Sequence, residues 1–323
     1  MSRVLLLSLM TAGLYGCAAC YGDLPTNNKN DDDDNTDTAV EDTAVEDTGP
    51  VDTGPPPPCA VPEEEPNNSV TDAQKLPLER WACGVLLEQG DLDYFYFDVP
   101  TAGWYRVWVR GQDIGSSSDL QLAFSNTTST YTALATTSPN SLDPQIVFYA
   151  EGADRFQVSV ADTFYGYGDD YIWEMMATES KEPVDWNVVE DEWVGSGGSN
   201  DALVDGEPVE DGDQILGVLN PGSDQDFYII DLPAGDVSLV AQVHAWNYGS
   251  PLYSTLRVFD MDGTELRERS YGGSGLDYDP KLTYKTTGPV QLAVQVDVQN
   301  NAGGGGLSHW YMLELAVEDT ASE

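Results

Sequence analysis

An alternating run that occurs twice limits this chain more than any other feature. Asp93-Tyr94-Phe95-Tyr96-Phe97-Asp98-Val99-Pro100 is answered by Asp226-Phe227-Tyr228-Ile229-Ile230-Asp231-Leu232-Pro233. In an extended chain, successive side chains point to opposite faces. Phe95, Phe97 and Val99 therefore share one face, and Tyr94, Tyr96 and Asp98 share the other. Trp104 to Arg110 alternates in the same way, with Tyr105, Val107 and Val109 together. Similar runs are Phe156–Val160, Val237–Val243 and Val290–Val298. Asp262-Gly263, between Val258-Phe259 and Leu266, is a hairpin signal. No stretch carries sustained helical periodicity with caps. The expected fold is all-β: two tandem, jelly-roll-like β-sandwiches.

The repeat extends beyond the alternating runs. Gly84-Val85-Leu86 lies over Gly217-Val218-Leu219, and Gly103 lies over Gly235. Near the ends, Tyr171-Ile172-Trp173-Glu174-Met175-Met176-Ala177 is set over Tyr311-Met312-Leu313-Glu314-Leu315-Ala316. This order implies a duplicated unit of ordinary single-domain size. The predicted domains are 59–179 and 188–318, joined by Glu179–Val188.

What precedes them reads differently. Residues 1–16 form a leader with one positive charge at Arg3 and an apolar run from Val4 to Leu14, too short to span a bilayer. Leu14-Tyr15-Gly16-Cys17 resembles the lipobox of bacterial lipoproteins. That resemblance implies acylation of Cys17 and cleavage before it, so the membrane is an expected partner through lipid. Ala18 lacks the aspartate that signals inner-membrane retention, which favours the outer membrane. Residues 17–58 contain Asp31 to Asp34, two Ala-Val-Glu-Asp-Thr repeats and Pro55 to Pro58. Such a segment cannot bury enough apolar surface to offset its ordering entropy. It is expected to be a disordered tether, extended by like charge. The formal net charge is −43, from 13 basic and 56 acidic residues, which excludes nucleic acid as a partner. Export also favours a disulfide among the remaining cysteines. Cys59 and Cys83 bracket the start of the first domain and are the expected pair; two buried free thiols are the alternative.

The first domain also resembles the bacterial pre-peptidase C-terminal domain. The residues that carry the likeness are Glu63-Glu64-Glu65-Pro66-Asn67-Asn68-Ser69, Gly84-Val85-Leu86, Asp91-Leu92-Asp93-Tyr94-Phe95-Tyr96-Phe97 and Ala102-Gly103. The second domain keeps the later half of this pattern but reads Glu190-Asp191-Glu192-Trp193 where the acidic Pro-Asn-Asn element is expected. The resemblance implies a jelly-roll-like sandwich and an accessory role outside a catalytic domain. It also implies a calcium site built from Glu63, Glu65, Asn67 and Asp93, with Asp91 as a fifth candidate ligand. Carboxylates and an amide carbonyl are the hard oxygen donors calcium takes. The alternative is a solvated acidic run with Asn67-Asn68 capping a turn.

No catalytic motif stands out. His244 and His309 are the only histidines, there is no His-Glu-x-x-His, and Gly272-Gly273-Ser274-Gly275-Leu276 misses the nucleophile-elbow pattern at its last position. Both histidines are expected to serve structure, and Gly303–Gly306 a long hairpin connection. If Phe95, Phe97, Tyr105, Val107 and Val109 face inward, then Tyr94, Tyr96, Trp104, Arg106 and Trp108 face outward, with Arg110 beside them. Were the two strands a hairpin, these side chains would form one aromatic, locally basic platform for an extracellular polysaccharide, peptide or protein. The same face could instead pack against the second domain. The expected function is non-enzymatic binding or scaffolding at the cell envelope. The alternatives are an accessory subunit of a secreted peptidase, an unrecognised hydrolase, and a purely structural envelope protein.

Overall fold

The computed structural model describes residues 59–126, 133–134, 136–137, 143–193, 199–220, 223–270, 279–299 and 306–320. The leader, Cys17 and the tether lie outside the described residues. So do Gly272–Leu276 and, apart from Gly306, the Gly303–Gly306 run. Residues 54 to 323 form one compact unit.

In the first half the strands are β1 (Val61–Pro62), β2 (Gln74–Lys75), β3 (Ala82–Val85), β4 (Asp93–Val99), β5 (Gly103–Arg110), β6 (Leu120–Asn126), β7 (Ala133–Leu134), β8 (Thr136–Thr137), β9 (Pro144–Ala150), β10 (Asp154–Asp162) and β11 (Ile172–Glu179). They make two sheets, β1-β3-β11-β5-β9-β8 and β2-β4-β10-β6-β7. In the second half they are β12 (Val188–Val189), β13 (Glu207–Val209), β14 (Gln214–Val218), β15 (Gln225–His244), β16 (Ser254–Asp260), β17 (Glu265–Ser270), β18 (Lys281–Val298) and β19 (Trp310–Asp319). Their order is β12-β14-β19-β15-β18-β16-β17, with β13 also on β15.

The two halves are the same fold. The later half of β15 pairs with β19, as β5 pairs with β11; its earlier half pairs with β13, as β4 pairs with β2. Long β15 therefore corresponds to β4 and β5 fused, and β18 to β9 and β10 fused. The fusion point is a register shift between Leu232 and Gly235, opposite Gly288. A Cβ at Gly288 would overlap the Pro233 carbonyl, so the two bends need a glycine to approach this closely. In the first half the chain breaks instead at Pro100-Thr101-Ala102 and crosses to the other sheet.

The alternating strands bury the predicted faces. Phe95, Phe97, Val99, Tyr105, Val107 and Val109 lie in a first core with Phe148, Phe156 and Trp173. A second core gathers Tyr228, Ile230, Leu239, Val243, Leu256, Val294 and Tyr311. The Asp262-Gly263 hairpin joins β16 to β17, with Gly263 in the left-handed region at φ +84°. Asp260 Oδ1 accepts the Asp262 and Thr264 amides across that turn.

Two sequence expectations need correction. First, β4 and β5 are not a hairpin: β4 pairs with β2 and β10, whereas β5 pairs with β9 and β11. Tyr94 and Tyr96 thus lie on a different sheet from Trp104, Arg106 and Trp108, and the single platform does not exist. Second, the terminal repeat slips by two residues. Trp173 sits opposite Gly84 and Tyr311 opposite Gly217, so Trp173, not Tyr171, corresponds to Tyr311. A two-residue slip keeps every side chain on its face, so alternation alone cannot detect it.

A third apolar cluster joins the halves. Trp104, Val147, Val184, Leu216, Trp310 and Met312 are buried there, with Tyr149, Trp186 and Trp193 packed against them. Trp104 meets Trp310 edge-to-face at 5.4 Å. The Trp310 indole N–H donates to the Val147 carbonyl at 2.9 Å. Past β8, strand β9 would present an open edge. There Val147 N–H donates to the Gly249 carbonyl (2.9 Å) and Tyr149 N–H to the Leu307 carbonyl (3.3 Å). The second half thus caps an edge that would otherwise invite association.

Candidate cation sites and outer surfaces

The loop after β1 and the entry to β4 meet at one end of the first sandwich. Glu63 Oε1 accepts the Val85 amide at 3.1 Å, which draws its carboxylate over Gly84. A Cβ at Gly84 would overlap Glu63 Oε2 and the Trp173 ring, so only glycine admits both. Glu65 Oε2 accepts the Asn67 amide at 3.0 Å. The Asn67 carbonyl accepts the Tyr94 amide at 2.9 Å, setting its backbone beside the entry to β4. Asp91 folds back on its own turn, accepting the amides of Leu87 (2.8 Å) and Leu92 (3.1 Å). Asp93 Oδ2 accepts the Trp173 indole N–H at 2.7 Å.

The structure brings the five sequence-predicted ligands to one place. Carboxylate oxygens of Glu65, Asp91 and Asp93 lie within 4.8 Å of one another. Asn67 and Asp93 are fully buried. Yet among the described residues Asp93 Oδ1, Glu63 Oε2 and both polar atoms of the Asn67 side chain have no hydrogen-bond partner outside the cluster itself. Burial, then Glu63 and Asp91, push the Asp93 carboxyl up to about 9. Burial raises Glu63 as well. Buried oxygens with unused lone pairs, converging from several carboxylates and an amide, fit an oxygen-ligated divalent cation.

Cys59 and Cys83 are joined, with Cα atoms 5.8 Å apart. The bond fastens the chain entering this loop to β3, beside the Glu63 carboxylate.

The same construction recurs in the second sandwich, where sequence reading did not place a site. Glu190 Oε1 accepts the Val218 amide at 2.6 Å, as Glu63 accepts Val85. The Asn200 carbonyl accepts the Phe227 amide at 2.9 Å, as that of Asn67 accepts Tyr94. Asp224 accepts the amides of Asn220 (2.7 Å) and Gln225 (2.9 Å), as Asp91 accepts Leu87 and Leu92. Asp226 Oδ2 accepts the Tyr311 hydroxyl, in the place of the Trp173 indole. Glu192, Asp224 and Asp226 again hold oxygens within 4.8 Å of each other. The signal was present but interrupted: Asn200 stands eight residues after Glu192, whereas Asn67 stands two after Glu65.

The outward residues of β5 separate by location. Trp104 is only 8% exposed and belongs to the junction between the halves. Arg106 and Trp108 remain half-buried on the outer sheet. The Arg106 guanidinium lies 4.8 Å from the Trp108 ring centre. Trp108 meets Trp81 edge-to-face at 5.5 Å, and Arg110 lies 4.1 Å over Trp81 while pairing with Glu174. On the opposite sheet Tyr94 is half-buried, and Tyr96 lies under Arg155 at 4.2 Å. A second aromatic surface, not anticipated from sequence, is the turn after β10. Phe164, Tyr165 and Tyr167 are all exposed there, and Asp162 Oδ1 accepts the Phe164 and Gly166 amides. His244 contacts Glu314 at 3.1 Å. His309 is buried before β19, which lowers its pKa to about 4.

No protein-family model matches the chain, and no curated protein does. Among solved structures, the chain is similar to the pre-peptidase C-terminal domain of a collagenase from Bacillus anthracis: 16% identity, TM-score 0.26, over 35% of this chain and 94% of that one. It is also similar to an M60 catalytic domain with two CBM51 domains from Clostridium perfringens ZmpB: 10% identity, TM-score 0.21, over 71% of this chain but 34% of that one. The CUB1-EGF-CUB2 region of human MASP-1/3 matches at 10% identity and TM-score 0.21, over 71% and 94%.

Proposed function

We propose that this chain is a non-enzymatic, lipid-anchored protein of the cell envelope whose β-sandwiches bind an extracellular polymer or protein. The observation that carries the reading is the outer face of β5. There Arg106, Trp108, Trp81 and Arg110 form a continuous, partly buried row in which two edge-to-face indoles lie between two guanidinium groups. On a chain of net charge −43, a cluster of arginines held over tryptophans is a local reversal of sign. Aromatic and arginine side chains are those enriched where surfaces bind partners. The first sandwich would hold calcium through Glu63, Glu65, Asn67, Asp91 and Asp93. The ion's part would be to neutralise buried carboxylates and fix the loop ahead of β2. Lipid on Cys17 and the tether would hold the unit away from an outer membrane.

Retention of the purified protein on immobilised polysaccharides, collagen and cell-wall material tests this, with calcium and with chelator. Trp108→Ala should weaken retention at least tenfold while leaving the melting temperature within a few degrees. Phe164→Ser with Tyr165→Ser serves as the comparison surface. If that pair, and not Trp108→Ala, abolishes retention, the β5 row is the wrong surface. If no polymer is retained by the native chain, the binding function falls and a structural envelope role replaces it.

A further inference from the structure

The turn from Glu190 to Trp193 does two things at once. Its carboxylates reach into the acidic cluster of the second sandwich, and its last side chain enters the junction between the halves. Asn200 is 1% exposed and Asp226 is fully buried. Among the described residues, both polar atoms of the Asn200 side chain, and Asp226 Oδ1, lack a hydrogen-bond partner. The Asn200 carbonyl accepts the Phe227 amide at 2.9 Å, which sets Asn200 beside the stretch of β15 that carries Asp226. Around them, Glu190 Oε2 accepts the Tyr228 hydroxyl at 3.2 Å, and the Tyr228 and Tyr311 hydroxyls are 2.7 Å apart. A Cβ at Gly217 would overlap Tyr311 and press on Glu190 Oε2 at 2.6 Å, so the backbone here is shaped to the carboxylate. Among the described residues, no ion pair with lysine or arginine reaches this cluster. Converging oxygens of this kind, with buried lone pairs unused, are what a divalent oxygen-binding cation satisfies.

The Glu190 carbonyl accepts the Trp193 amide at 3.1 Å, closing the turn. The Trp193 ring then lies 6.0 Å from Trp104 and 5.5 Å from Tyr149, both in the first sandwich. We propose that Glu190, Glu192, Asn200, Asp224 and Asp226 form a second divalent-cation site, and that loading it fixes the turn that seats Trp193 against the first sandwich. The site thereby sets how firmly the two halves are joined. This goes beyond the polymer-binding reading and does not depend on it.

The test is calcium titration of the full chain after chelator treatment, by calorimetry in moderate salt, with tryptophan fluorescence read in parallel. The native chain should bind two saturable equivalents above the weak, unsaturating heat of its acidic tether. Asp226→Asn should remove one equivalent, and Asp93→Asn the other. Because Trp173 donates to Asp93, fluorescence is read in the Asp93→Asn background, where calcium should still change it; adding Asp226→Asn or Trp193→Phe to that background should remove the change. Should Asp226→Asn fail to fold, Glu192→Gln at the half-exposed rim of the site replaces it, with at least a tenfold loss of affinity expected for one equivalent. Two equivalents retained in a folded Asp226→Asn or Glu192→Gln chain would overturn the site. A lost equivalent with the fluorescence change intact would overturn the coupling to Trp193.

Discussion

At the scale of single residues, Asp93 and Asp224 carry the chemistry that burial perturbs most legibly. Asp93 is raised to about 9 by burial, Glu63 and Asp91. Asp224 is raised to about 7 by burial first, then by Asp201 and Glu192. A carboxyl whose folded pKa exceeds its unfolded value binds more protons when folded. The stability it contributes is complete below its unfolded pKa and is lost as pH rises through the folded one. With chelator present, the melting temperature should therefore fall as pH rises from about 6 to 9, a window in which ordinary carboxylates no longer titrate. Saturating calcium should flatten that slope, because a bound cation takes the place of the protons. Thermal unfolding across this range checks it; a flat profile in chelator would contradict the buried carboxylate clusters. Gly84→Ala is a second residue-scale prediction. Its Cβ would displace the Glu63 carboxylate and press on the rigid Trp173 ring. A loss of about 1–3 kcal/mol by denaturant unfolding is expected.

At the scale of elements, the disulfide and the strand breaks differ in how far sequence reveals them. The Cys59–Cys83 bond ties the residues before β1 to β3, where Val61 and Pro62 pair in parallel with Ala82 and Cys83. Two parallel residues hold little by themselves, so the covalent link does most of the fastening. Replacing both cysteines by serine should cost about 3 kcal/mol, read as a shift in denaturant midpoint that reductant reproduces in the native chain. The pair was legible because both cysteines flank one short segment. The pairing of β4 was not. Its alternation fixed which face is buried, but its partners are the two-residue strand β2 and β10, which lies far along the chain. Proximity in the chain suggested a hairpin; the crossing at Pro100-Thr101-Ala102 sent β5 to the other sheet.

At the scale of the whole molecule, the tryptophan cluster decides whether the halves behave as one body. Trp310 is fully buried, donates to the Val147 carbonyl and packs on Trp104. Trp310→Ala should cost about 3–5 kcal/mol. Its calorimetric trace should separate into two transitions, because the loss falls on the contact between the cores rather than inside either one. A single transition at the native temperature would mean that the junction contributes little. The outward position of Trp104 was readable from its strand's alternation; its burial was not, since that depends on a surface gathered from residues as far apart as Val147 and Met312.

Sequence by itself determined the all-β class, the duplication, the inward faces of the main strands and the cysteine pair. Each follows from short-range rules: period-two alternation, a repeated order of motifs, and two cysteines flanking one segment. The resemblance also named the five residues around the first acidic cluster, all of which sit in two compact motifs, Glu63–Asn67 and Asp91–Asp93. Only the tertiary structure assigned β4 and β5 to different sheets, fused their counterparts into β15, and set Trp173 rather than Tyr171 against Tyr311. It alone assembled the second cluster, since the interval between Glu192 and Asn200 hides a ligand set that the fold restores. The physical reason is common to all of these. Local propensity decides which way a side chain points, whereas what it meets there is fixed by contacts between segments that the sequence keeps far apart.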